Sequence, residues 1–166
     1  MKLRHLLFTL LGIAVLALCA WIGWMRSDKH QVQKVFERAS HLMEKKEGGA
    51  GLVAEALRTR EIMALFTDEV RVTLPELRRS NQIGSRELAR QAILLRTHFS
   101  EMTLDFANLS IEVPSKGEAD ATCQARLSGA AGGEWIEEER TVSAHLRKDP
   151  SAKRWQFSRI VASEGL

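Results

Sequence analysis

This chain of 166 residues contains two cysteines, three prolines and no tyrosine. Cys19 lies in an apolar run near the amino terminus, and Cys123 lies far along the remaining chain. Two thiols placed in this way predict no disulfide within a folded domain, and they cannot form a zinc site. We therefore expect no metal ion and no other cofactor, and we expect the apolar core alone to hold the fold together.

Acidic residues are missing from the start of the chain, because the first of them is Asp28. Three of the 24 Lys and Arg residues (Lys2, Arg4 and Arg26) flank the apolar run, and the other 21 balance the 21 Asp and Glu residues. The basic sequence pI of about 9.1 therefore comes from these flanks. A neutral remainder argues against a nucleic-acid partner.

The apolar run covers residues 6–25 and contains no charged side chain. About 20 residues at ~1.5 Å per residue cover the ~30 Å hydrocarbon core of a bilayer. We predict a transmembrane anchor over residues 1–26, bound to the lipid bilayer through residues 6–25, and one domain over residues 27–166. The alternative is a cleaved signal peptide and a soluble periplasmic domain, but the run is long and has no clean Ala-x-Ala site.

Basic residues on both sides of the run bear on its orientation. Lys2 and Arg4 favour a cytoplasmic amino terminus, although Arg26 and Lys29 weaken that signal. We predict a single-pass protein of the inner or plasma membrane, with its carboxy-terminal domain outside the cytoplasm.

Apolar residues at three- and four-residue spacing predict three helices after the anchor. The first runs over residues 28–46, with Asp28 as a cap. The second runs over residues 52–66 with an apolar stripe of Leu52, Val53, Ala56, Leu57, Met63 and Phe66. The third begins at Ser85, a good N-cap, with a buried stripe of Leu88, Ala92, Leu95 and Phe99.

Strand periodicity follows the second helix at residues 70–74 and dominates the chain after the third. Turn segments at 114–117, 129–133 and 149–153 divide this last part into a meander of four strands. The apolar alternation changes phase after Phe106 and after Phe157, as a β-bulge produces. The predicted fold class is α+β, with three helices packed on a curved, cone-shaped antiparallel sheet and one transmembrane helix before them.

Three segments (62–75, 83–88 and 153–160) resemble, in their order and spacing, the SnoaL-like branch of the nuclear transport factor 2-like superfamily. The resemblance covers residues 28–164. It implies an open cone with a pocket between sheet and helices. The family includes enzymes, binding modules and assembly domains, so the resemblance does not assign a function.

The resemblance also implies two tests of catalysis. Steroid isomerases of the family use a tyrosine hydroxyl in the pocket, and this chain has no tyrosine. The related dehydratases rely on pocket histidines, whereas no pair of histidines with an orienting carboxylate is evident here, and His145 is expected to face away from the core. We therefore assign no catalytic residue.

Candidate ligand-binding residues come from the inward faces of two meander strands. Ala119, Ala121, Cys123, Ala125 and Leu127 share one face, and four of the five are small, which leaves either a void or tight packing against bulky helix residues. Glu138 and Arg140 share the inward parity of the next strand, where they form either the polar floor of a pocket or a solvated pair at its rim. The candidates are thus Glu138, Arg140, Cys123 and Ala125.

Two functions remain open at this point. The first is a membrane-tethered, non-catalytic domain on the exported side that binds a small apolar molecule or assembles with other proteins. Self-association into a homodimer would then use the outer sheet face, which carries Trp135, Thr141 and Ser143. The alternative is a pocket enzyme of isomerase or lyase type that uses Glu138 and Arg140.

Overall fold

The computed structural model describes residues 27–46, 52–77 and 79–164. The predicted anchor at residues 6–25 lies outside these ranges and stays a prediction. Within the described ranges, no helix has the length and apolar character that a membrane crossing requires.

Within the described ranges, the three α-helices are α1 (Asp28–Met43), α2 (Leu52–Met63) and α3 (Ser85–His98). Their number and order confirm the prediction, but α1 and α2 each end three residues early. Helix α1 stops because Glu44 turns to extended backbone and Lys45 then forms a β-bridge with Met102. The predicted caps also shift by one residue, since Ser27 precedes α1 and Gly84 precedes α3.

The predicted apolar stripes of α2 and α3 are wrong in part. On α2, Val53 is 77% exposed and Leu57 is 59% exposed, whereas Ile62 and Leu65 at and beyond its end are buried. On α3 the predicted stripe faces the sheet, with Phe99 buried and Leu88 and Ala92 half-buried, but Leu95 is 40% exposed. The buried residues within α3 itself are Ala89 and Arg96, and apolar spacing does not predict the burial of Arg96.

In the part of the chain that the structure describes, six strands form one sheet in the order β2-β1-β6-β5-β4-β3. The strands are β1 (Phe66–Leu74), β2 (Arg79–Gly84), β3 (Glu101–Ser115), β4 (Glu118–Ala131), β5 (Glu134–Lys148) and β6 (Trp155–Glu164). The predicted antiparallel arrangement is wrong at one ladder, because β1 runs parallel to β6. Strand β2 escapes prediction, since its sequence RSNQIG is poor in the β-branched and aromatic residues that strands favour.

Both predicted changes of phase are present as register shifts. In β3 the ladder shifts between Ala107 and Ser110, where Asn108 adopts φ 54°. In the ladder between β5 and β6 it shifts between His145 and Leu146. These bulges bend the sheet around α1, so the fold is an α+β cone with its core on the concave face.

The core lies between α1 and the concave face of the meander. Phe36 of α1 contacts the rings of Phe106 and Phe157 edge to face, with centroids 5.2 and 5.1 Å apart. The small inward residues Ala119, Ala121 and Cys123 are buried in the same core as Leu146. Over the first half of β4, the predicted small stripe is therefore packed tightly.

Candidate functional site

An apolar cavity of about 400 Å³ lies between α3 and the concave face of the sheet. Helix α1 contributes Phe36, Ala39, Leu42 and Met43 to its lining, and the sheet contributes Leu104, Ala125, Val142, Ala144 and Ile160. Among the described lining residues, Gln91 of α3 is the one polar side chain. A cavity of this size is sufficient for a small organic ligand.

The void arises where small residues line both layers. The sheet contributes Ala125 and Ala144, α3 contributes Ala92 and α1 contributes Ala39. The inward-facing small residues of β4 are predicted either to pack tightly or to leave a void, and both outcomes occur on this one strand. The stripe is packed at Ala119, Ala121 and Cys123, and it lines a void at Ala125.

Gln91 is the feature of the lining that the sequence did not single out. It is exposed at the rim of the cavity, and its amide nitrogen donates to the Glu87 carboxylate over 3.0 Å. Its amide can exchange hydrogen bonds with a polar atom of a ligand, but it has no titratable proton. In the sequence, Gln91 is a glutamine one helical turn after a glutamate. This pattern is common on helices, so it does not identify a ligand-binding residue.

Glu138 and Arg140 lie outside the lining of this cavity. The Arg140 guanidinium binds the Glu138 carboxylate at 2.6 Å, and it approaches Glu76 at 4.0 Å. The Glu138 side chain is 50% exposed, so of the two predicted alternatives the structure has the solvated pair at the rim. At this point of β5 the inward-facing side chains are exposed to solvent. The hydrogen bond to Glu138 raises the pKa of Arg140.

Cys123 is buried two residues before Ala125 on β4 and does not line the cavity. Burial raises the pKa of its thiol to about 11. The thiol is therefore protonated at neutral pH and is a poor nucleophile.

A charged cluster around the buried Arg96 lies at one end of the helical layer. The Arg96 guanidinium donates to both oxygens of Glu55, at 2.9 and 3.1 Å, and to the carbonyls of Met43 and Glu44, at 3.2 and 3.0 Å. Burial raises the pKa of Glu55, but the hydrogen bond and charge of Arg96, together with the charge of Arg58, outweigh this and leave that pKa below its ordinary value. The cluster joins α1, α2 and α3 beside the cavity.

A histidine–carboxylate pair lies on the opposite, outer face of the sheet. His145 faces away from the core as predicted, and its Nδ1 lies 2.7 Å from an Asp120 oxygen. The two residues face each other across β4 and β5, symmetric about the turn at Gly132 and Gly133. Ser158 donates its hydroxyl proton to the His145 carbonyl instead of to the ring, so these three residues do not form a hydrolytic triad.

No protein-family model matches this sequence, and no curated protein sequence matches it. Solved structures are nevertheless similar to it. An ntf2-like protein with a cystatin-like fold from Novosphingobium aromaticivorans has a TM-score of 0.62 at 12% identity, covering 89% of this chain and 87% of its own. A protein of unknown function with a cystatin-like fold from Nostoc punctiforme has a TM-score of 0.58 at 12% identity, covering 82% and 90%.

The hexachlorocyclohexane dehydrochlorinase LinA-type3 from Novosphingobium barchaimii is similar at a TM-score of 0.59 and 11% identity, covering 81% of this chain and 84% of its own. These similarities show that the chain has the nuclear transport factor 2-like, cystatin-like fold, which the sequence predicted. The fold occurs in an enzyme and in proteins of unknown function, so it leaves the function to be argued from the cavity.

Proposed function

We propose that this nuclear transport factor 2-like domain binds a small apolar molecule in the cavity beside Ala125 and carries out no reaction on it, while residues 6–25 hold it to a membrane. The observation that carries the proposal is the apolar cavity of about 400 Å³. Apolar walls with one orienting polar group are typical of sites that bind hydrophobic ligands. The tether is supported by the length and flanking residues of the apolar run.

The absence of proton-transfer groups from the described lining favours binding over catalysis. General acid–base chemistry needs a titratable side chain within hydrogen-bond reach of the reacting atom. Gln91 cannot serve, and the ion pair of Glu138 and Arg140 lies at the rim. The alternative of an isomerase or lyase based on that pair therefore has no geometric support.

Photolabelling of the full-length protein in lipid nanodiscs tests the binding proposal. A small uncharged phenyl-diazirine is expected to label peptides from α3 and β4 that line the cavity, besides peptides that contact lipid. Ala125→Phe places a phenyl ring inside the cavity and should lower this labelling about threefold, since the ring takes up part of the space that the label needs. Peptide mass spectrometry measures the labelling at each position.

Thr122→Phe is the matched control, because Thr122 is exposed on the outer face of the same strand. It adds the same ring to β4 and should leave labelling of the cavity unchanged. Equal labelling in both variants, or no label on cavity residues of the wild type, would refute the proposal.

A second function, assembly through the outer sheet face, is favoured by a row of charges across the sheet. Arg71 and Arg159 lie directly opposite each other on β1 and β6, and neither has an ion-pair partner within the described residues. Asp120 and Glu112 lie opposite each other on β4 and β3, in the other half of the face. Like charges placed opposite each other destabilise a sheet, and a twofold-related copy would bring each pair against its complement.

Charge reversal tests this assembly. Arg71→Glu with Arg159→Glu is expected to convert a dimer of the full-length protein into a monomer, because the reversed face repels its copy. An equimolar mixture with the Glu112→Lys, Asp120→Lys variant should restore a heterodimer. Native mass spectrometry from detergent micelles measures both states, and a wild type that is monomeric at all concentrations would contradict this function.

A further inference from the structure

One end of the domain must lie close to the bilayer if residues 6–25 span it, so any lipid contact at that end depends on the membrane tether of the proposed function. The predicted span ends at Met25 and α1 begins at Asp28. Three residues of extended chain reach at most about 11 Å. The amino-terminal end of α1 is therefore held within reach of the lipid headgroups.

Two turns of the sheet share this end with α1. The Lys148 ammonium donates to the Asp28 carboxylate over 2.8 Å, and the Lys148 amide donates to the carbonyl of Gly117 in the turn between β3 and β4. Asp149, the next residue, begins the turn between β5 and β6, and its amide donates to the Arg154 carbonyl over 2.7 Å. Helix α1 and both turns thus form one surface, which we call the anchored end (residues 27–29, 116–118 and 147–154).

The anchored end carries five exposed cations, one of which, Arg147, has Glu118 as its partner. Within the described residues, no carboxylate lies within ion-pair distance of the other four, namely Lys29, Lys116, Lys153 and Arg154. The acidic groups nearby are already engaged. Asp28 accepts from Lys148, Asp149 accepts from the amides of Ser151 and Ala152, and Glu118 lies 3.9 Å from Arg147.

Unpaired cations on a surface that lies next to the lipid headgroups can bind the phosphate groups of anionic lipids. We infer that the anchored end rests on the bilayer and that its four unpaired cations bind the phosphate groups of anionic phospholipids. Polybasic segments next to a membrane span are attracted to anionic leaflets in this way. This contact would orient the domain, because α1 then points away from the lipid. The residues of α1 that line the cavity, from Phe36 to Met43, lie at the end of the helix that is distant from the bilayer.

Fluorescence quenching by a headgroup spin-labelled lipid tests the contact in the full-length protein. Cys19→Ser with Ser151→Cys allows bimane labelling of the turn between β5 and β6, since Cys123 is buried. In nanodiscs with about 30 mol % phosphatidylglycerol, quenching should be about threefold stronger than in pure phosphatidylcholine. Salt at about 0.5 M should abolish the difference, because it screens exposed charges.

Lys116→Gln with Lys153→Gln removes one cation from each turn and should reduce quenching to the level seen in phosphatidylcholine. Lys46→Gln with Arg126→Gln is the control, since it removes two exposed cations that lie beyond the end of α1 and in the second half of β4, away from the anchored end. The control should keep the full effect of phosphatidylglycerol.

Vesicle flotation separates the failure of this inference from failure of the tether. A full-length protein that does not float with vesicles of either composition lacks the tether, and both proposals fail. A protein that floats with both compositions, but shows no effect of phosphatidylglycerol on quenching or loses it equally in the control variant, overturns the lipid contact alone.

Discussion

Replacing Arg96 with methionine is expected to destabilise the domain by about 2–4 kcal/mol, because it leaves the two carbonyls that Arg96 binds without a donor. The Arg96 side chain is 5% exposed and satisfies the carbonyls of Met43 and Glu44 at the end of α1, besides the Glu55 carboxylate. Methionine keeps most of the volume but donates no hydrogen bond. The helix end would then be buried without partners for its last carbonyls.

Urea unfolding of the full-length protein in detergent micelles, followed by tryptophan fluorescence, measures the change in free energy of unfolding. Arg90→Met is the control, because Arg90 is exposed and its ion pair is with Glu87 of the same helix. Its effect should stay within about 0.5 kcal/mol. Similar losses in the two variants would show that the cluster at Arg96 contributes no special stability.

The same cluster predicts how stability depends on pH. The pKa of Glu55 is lower in the folded state than in the unfolded state, where it is near its ordinary value. The ion pair therefore stabilises the fold fully above the unfolded pKa, and this contribution is lost as pH falls through the folded pKa. In the Arg96→Met variant this part of the acid destabilisation should be smaller, because Arg58 alone then remains beside Glu55. Urea unfolding at several acidic pH values detects the difference.

Gly129→Ala is expected to destabilise the domain by at least about 2 kcal/mol, because the added methyl group has no room. A Cβ atom at Gly129 would lie 2.3 Å from the carbonyl oxygen of Glu101, 2.9 Å from the Phe99 ring and 3.0 Å from the Met102 Cα. The nearest of these atoms belongs to the backbone of β3, so relief requires the two strands to separate.

Thermal unfolding of the full-length protein measures this effect, and hydrogen exchange locates it. The amide of Lys45, which donates to the Met102 carbonyl over 2.8 Å, should exchange faster in the variant. Gly132→Asn is the control, since a Cβ atom at Gly132 would meet no atom within 4 Å and asparagine tolerates a backbone with φ 61°. A Gly129→Ala protein as stable as the control would contradict the close approach.

Gly129 also illustrates the limit of prediction from local sequence. The three glycines of segment 129–133 predict a turn there. In the structure, however, Gly129 to Ala131 belong to β4, and the turn is confined to Gly132 and Gly133. The two turn glycines have positive φ, which their local chemistry explains. A glycine is required at position 129 because the backbone of β3 lies so close to it. The neighbouring residues in the sequence do not indicate this close approach.

Arg96 escapes prediction for a similar reason. A charged residue on a helix is normally placed on the solvent side of an apolar stripe. Arg96 is buried because its partners, Met43, Glu44 and Glu55, arrive from segments more than 40 residues away. The residue before it, Leu95, lines the cavity and is 40% exposed.

Local sequence is sufficient to predict the four-strand meander, the two bulges that curve it and the outward direction of His145. These features depend on alternation and turn chemistry, which act between residues close together in the chain. Only the folded chain shows that Ala125 borders a void while Cys123 is packed, that Glu138 and Arg140 lie at the rim, and that Arg96 is buried. Each of those outcomes depends on how distant segments fill the same volume, and a void or a buried partner leaves no periodic signal in the chain.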